Sequence, residues 1–195
     1  MLVRLNRETR EHHADADAAW HELLVPDVSR DRYVDQLIRV YGFEAPLEGA
    51  LAYAPAMDTA KRREHARSGR IVEDLLVLGL RPAQISELPQ CREISPFSDF
   101  HTALGWLYAL ERATLIHGML RRHLVGALPD VSRATKYLGA SEGSIANRWR
   151  ELGVAFEEAG EREDHAVKVI QAATAALTAQ RRWFSSPRQA SAASH

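Results

Sequence analysis

No stretch of this 195-residue chain alternates apolar and polar residues for more than a few positions, whereas apolar residues recur at three- and four-residue spacing along most of its length. Alternation is the mark of a half-buried strand, and a 3.6-residue period is the mark of a helix facing a core, so the chain is predicted to be all-α. A first amphipathic helix runs from about Leu5 to Leu24 and stops at Pro26. Ser29 caps a second, with Asp31 in its first turn and Tyr33, Val34, Leu37, Ile38 and Tyr41 on one stripe, and Gly42 and Pro46 predict a kink or break in it. Asp58 caps a third, apolar at Ile71, Val72, Leu75, Leu76 and Leu78, which Gly79 and Pro82 close. One helical turn is expected between Pro82 and Pro96. A long helix from about Ser98 to Leu128 is apolar on more than one face and is the expected central element. Two more follow, at about Ser144–Ala159 and Asp164–Phe184. With neither repeat nor linker, residues 1–184 read as one helical domain and 185–195 as a disordered tail.

The formal net charge of −1 provides no overall field that would draw nucleic acid or an anionic membrane, and neither is expected as a partner. The N-terminus has no apolar run of signal-peptide type, and no window reaches the length of a membrane span. Cys91 is the only cysteine, which suits a reducing compartment, and a cytoplasmic location is expected. A glycine-rich phosphate loop, a Cys-x-x-Cys pair, a His-Glu-x-x-His zinc motif and a Glu-x-x-His di-iron motif are all missing, and no serine or cysteine nucleophile has a local signature. What remains is a helical protein with histidines on helices, a setting suited to a planar apolar cofactor such as haem.

The histidines most open to such a role lie in the first segment, where Leu5, Thr9, His12, His13, Ala16, Trp20 and Leu23 share one half of the helix. An imidazole on an inward face needs partners for its nitrogens, and either a backbone carbonyl or iron can serve. Periodicity alone puts His12 closer than His13 to the centre of the apolar face.

The segment Thr9-Arg10-Glu11-His12-His13-Ala14-Asp15-Ala16-Asp17 resembles the haem-ligand motif of haem oxygenases: a Thr, three residues, the proximal His, two residues, a small residue and an acid. Leu107-Tyr108-Ala109-Leu110-Glu111-Arg112-Ala113-Thr114-Leu115-Ile116-His117-Gly118 is similar to the distal helix of the bacterial members that accompany phytochromes. Asn147-Arg148-Trp149-Arg150 with Phe156-Glu157 is similar to the family's penultimate helix. The resemblance implies the haem oxygenase fold and oxygen-dependent opening of haem to biliverdin, carbon monoxide and ferrous iron. It implies His13, not His12, as the axial iron ligand, with His12 left to packing or support. It implies Arg150, with Arg4 or Arg7, at the haem propionates, and a separate ferredoxin or reductase as electron donor.

The distal helix departs from the family pattern. Glycines there bring bare backbone close to haem, whereas this chain carries Arg112, Ile116 and His117 at those positions. Ala113 stands where many members have a carboxylate, and Gly118 is offset along the helix. Either the helix is displaced or rotated, with Arg112 turned to a propionate or to solvent, or the distal pocket is filled. A filled pocket excludes haem or ligates it through His117 as well as His13. The second outcome implies a non-catalytic member that binds haem, another ligand or a protein partner. An enzyme of the same fold acting on another cofactor is a third alternative.

Overall fold

The computed structural model describes residues 1–57 and 66–186, and among them there are helices and no strand. The expected Asp58 cap lies outside the described residues. The expected first helix is divided into α1 (Leu2–Glu8), a 3-10 turn (Arg10–His12) and α2 (His13–His21). The division falls at Thr9, whose hydroxyl donates back to the Leu5 carbonyl at 2.8 Å. Such back-bonding bends a helix. His13 consequently opens α2 rather than sitting in mid-helix.

Helix α3 (Arg30–Ala52) is capped as expected, the Ser29 hydroxyl accepting from the Arg32 amide. It continues through Pro46 rather than ending there. Proline at 46 has no N–H to offer the Gly42 carbonyl, and the Cys91 amide takes that acceptor instead at 2.8 Å. The approach needs a glycine, because a Cβ at Gly42 would stand 2.3 Å from the Pro89 carbonyl oxygen. Helix α4 (Ser68–Val77) ends at Gly79, whose φ of +96° favours glycine, and α5 (Pro82–Ser86) is the single expected turn.

The predicted long central helix is two helices, α6 (Phe100–Ala113) and α7 (His117–Ala127), joined by a 3-10 turn at Thr114–Ile116. The Thr114 hydroxyl donates to the Glu111 carbonyl at 2.7 Å, the same kind of local competition seen at Thr9. Helix α6 is buried nearly all round and lies along the last helix, with Gly105 pressed against the Val169 carbonyl. A four-residue helix, α8 (Lys136–Gly139), has no counterpart in the expected pattern. The buried Asp74 carboxylate receives its first two amides, Lys136 and Tyr137, at 3.0 and 2.8 Å. Helices α9 (Ile145–Gly160) and α10 (Glu163–Ser185) match expectation to within a residue or two; Ser185 still belongs to α10, and 187–195 lie outside the described residues.

The apolar interior forms two clusters. One gathers Leu5, Ala16, Tyr108, Phe156 and the α6–α10 seam, and the other gathers Trp20, Tyr33, Leu37, Ile71, Leu75, Leu120 and Tyr137. Helix α2 contributes to both, through Ala16 and Trp20. No helix among the described residues is long and apolar enough to cross a membrane.

Candidate functional site

The break at Thr9 decides which histidine faces inward. The 3-10 turn rotates His12 away, leaving its Nε2 3.4 Å from the exposed Glu11 carboxylate. His13 turns its Nε2 to the buried Thr9 hydroxyl at 3.0 Å and the buried Tyr108 hydroxyl at 3.3 Å. The helical-face reading that put His12 nearer the centre therefore fails, because it assumed one continuous helix. The Thr9 hydrogen is committed to Leu5, so Thr9 can only accept from His13, whereas Tyr108 can donate to a bare Nε2. Burial first, and then the Arg112 charge, lower the His13 pKa below its usual 6.5, so the half-buried ring is neutral at pH 7. Behind it stands an aromatic wall, with Trp149 and Phe156 each edge-on to Tyr108 at 6.0 Å between ring centres.

The distal positions lie beside this group. Arg112 grips Asp17 with both terminal nitrogens, at 2.7 and 2.6 Å, and the two side chains are 13% and 16% exposed. Thus Arg112 turns neither to open solvent nor into a distal void; it ties α6 to α2. Ala113 is buried, and Ile116 is half-buried against the second apolar cluster. His117 is 1% exposed, its ring 5.3 Å from that of Trp20 and 4.8 Å from that of Tyr137. Neither of its nitrogens has a hydrogen-bond partner among the described residues, and burial drives its pKa well below 6.5. The structure does not bring His117 to His13. His117 packs on Trp20, seven residues beyond His13, which is about 10 Å of helix rise.

The cationic positions differ in how they are engaged. Arg4 is held by Glu163 through two contacts of 2.8 Å and by Glu8. Arg7 is 77% exposed, with Glu8 at 3.7 Å. Arg150 is exposed and donates to Asn147 at 2.9 Å. Their polar partners among the described residues are Glu163, Glu8 and Asn147, not His13 or its hydroxyl partners. The inward cation of the penultimate helix is instead Arg148, which pairs with the Glu111 carboxylate and donates to Ser141 at 2.9 Å. Arg67 approaches the same Glu111 oxygen at 3.5 Å and Glu44 at 3.7 Å, and Tyr137 donates to Glu44 at 2.6 Å. Burial raises the Glu44 pKa to about 7 despite the opposing pull of Arg67. This ionic core under the α6–α7 junction is absent from the sequence expectations, although a signal existed. Arg148, Leu152 and Phe156 are spaced by four and share one buried stripe. Asp17 is the acid that closes the Thr9–Asp17 motif, but its pairing with Arg112 is not part of that expectation.

Among the described residues, no group of three or more His, Cys, Asp or Glu side chains could hold a metal ion. An iron carried in a macrocycle asks the protein for a single imidazole, and His13 is a neutral one within reach of solvent. Residues 1–186 match the family model described as Heme oxygenase. The chain has no match among curated proteins and none among solved structures.

Proposed function

The chain belongs to the haem oxygenase family, and on that premise we infer that it binds haem through His13 and opens it to biliverdin, carbon monoxide and ferrous iron. The observation that carries the reading is the His13 imidazole: neutral, half-buried, fixed at the first residue of α2 and set before an aromatic wall. On the proximal side the donor set fits haem. Nε2 is an unprotonated acceptor whenever Tyr108 is its donor, which is the state an iron ligand requires. Asp17, one turn on, bears on the ring through its charge alone, which opposes the lowering of the His13 pKa. On the distal side Arg112 and Asp17 span the seam, so these helices must part to admit a macrocycle.

Bound haem supplies the redox iron and is itself the substrate. Buried Ala113 and half-buried Ile116 exclude bulk water from the α6–α7 junction, and Arg150, exposed on α9, is the cation we assign to a haem carboxylate entering from solvent. Electrons come from a ferredoxin or reductase, and the setting is the cytoplasm, with residues 1–184 acting as one helical domain. A second reading, a haem-binding member without turnover, is favoured by one observation: the Arg112–Asp17 pair occupies the seam that oxygen chemistry needs open.

Haem titration followed in the ferric, ferrous and carbon-monoxide forms tests both. A ferric spectrum with one protein ligand, lost in His13→Ala and kept in His12→Ala, is expected, with biliverdin formed once a donor and oxygen are supplied. Retention of the spectrum in His13→Ala defeats the His13 assignment. Tight binding without biliverdin under any donor defeats turnover and leaves the second reading.

A further inference from the structure

Two residues one turn apart on α2, His13 and Asp17, meet two residues one turn apart on α6, Tyr108 and Arg112. Residues four apart share a helix face, so the contacts are two rungs across a single seam. The His13–Tyr108 rung is loose at 3.3 Å, whereas the Arg112–Asp17 rung is a two-point ion pair at 2.7 and 2.6 Å. Arg112 closes the last turn of α6, and both side chains of its pair lie partly buried, at 13% and 16% exposure. A haem carries carboxylates along one edge of an apolar disc, the same group that Arg112 already holds.

We propose that Arg112 reads a haem carboxylate in addition to any contact from Arg150, and that Asp17 holds it in reserve until haem arrives. The inference rests on the haem-binding reading above. A guanidinium fork grips any carboxylate in the same two-point geometry, so Arg112 exchanges Asp17 for a porphyrin carboxylate without losing a charge-assisted bond. The exchange parts α2 from α6 and leaves no cation unpaired in a partly buried place. Asp17, already 16% exposed, turns to water. A side chain that blocks the seam when haem is absent thereby becomes a contact that selects for the free acid when haem is present.

Haem and haem dimethyl ester, titrated into the full chain and followed by Soret absorbance and tryptophan quenching, test the exchange. The free acid should bind more tightly than the ester, and Arg112→Ala should cut that preference about tenfold, with Arg112→Lys, which keeps the charge but loses the fork, falling between. Asp17→Asn, which removes the competing carboxylate, should tighten the free acid. A preference unchanged in Arg112→Ala overturns the proposal while leaving haem binding intact. No porphyrin binding by the wild type or by Asp17→Asn sinks the haem reading itself and this proposal with it. Amide exchange of the haem-free chain is the second readout. Residues 13–21 should exchange about tenfold faster or more in Arg112→Ala and in Asp17→Asn, and unchanged exchange in both overturns the reserve role.

Discussion

His117 is a buried imidazole with neither nitrogen partnered among the described residues, and replacing it with leucine should stabilise the protein. Leaving buried polar atoms unpaired costs roughly 1–3 kcal/mol. Against that gain, leucine forfeits the tilted ring contacts with Trp20 at 5.3 Å and Tyr137 at 4.8 Å, worth about 0.5 kcal/mol each at the low end of such pairs beyond their area. The net expectation at pH 7.5 is a gain of about 1 kcal/mol. A histidine whose folded pKa is well below 6.5 binds fewer protons folded than unfolded, so its contribution is present above pH 6.5 and is lost as pH falls. Between pH 7.5 and 5.5 the unfolded state gains about 1.4 kcal/mol from protonating this one ring, and the leucine variant escapes that loss. At roughly 2–4 °C per kcal/mol for a chain of this size, the variant should melt about 2–4 °C above wild type at pH 7.5 and about 5–10 °C above it at pH 5.5. Thermal unfolding by circular dichroism at the two pH values reads both numbers. The other histidines are common to both proteins and cancel in the difference. A leucine variant less stable at pH 7.5, with a gap that does not widen at pH 5.5, would refute the reasoning and show that the ring has partners that keep it wanted.

Arg150→Ala should leave thermal stability unchanged, since that side chain is exposed and donates to the equally exposed Asn147, while weakening haem binding several-fold; unchanged affinity in a titration would return Arg150 to the role of a surface charge. Gly105→Ala should destabilise by about 2 kcal/mol or more in urea unfolding, because its Cβ would meet the Val169 carbonyl at 2.5 Å and the Ala173 amide at 2.7 Å across the α6–α10 seam, and a wild-type midpoint would contradict that packing.

The helices that carry unambiguous periodicity and end signals were legible in advance. The Ser29 cap, the Gly79 stop and the bounds of α9 and α10 all follow from local chemistry that tertiary contacts do not overturn. Both missed breaks, at Thr9 and at Thr114, share a cause. A threonine hydroxyl turned onto its own helix leaves the apolar spacing almost intact while changing the rotation, so a periodicity count passes over it. Of the candidate site, the motif pointed to His13, and the structure supplies the reason His12 is turned away. What no local rule could supply is pairing at a distance: Arg112 with Asp17 across 95 positions, and Arg148 with Glu111 across 37. The four-residue stripe with Leu152 and Phe156 marks Arg148 as inward, but nothing in its neighbourhood names Glu111 as the partner.

Pro46 carries a consequence for how two distant parts of the chain come to rest together. Helix α3 is assembled from local contacts, and an ordinary residue at 46 would let it close on itself with nothing left to offer. Proline instead leaves the Gly42 carbonyl open in the flank of a finished rod, and the Cys91 amide, forty-nine positions later, donates to it. The segment between α5 and α6 is thereby told where to dock, and Gly42 keeps the berth clear for the Pro89 carbonyl and the Trp183 ring that settle around it. The message is carried by the backbone of Cys91 and not by its thiol, so the sulfur can be exchanged for other small groups while an imino acid at 91 would silence it. A defect in one helix has become an address for another stretch of chain.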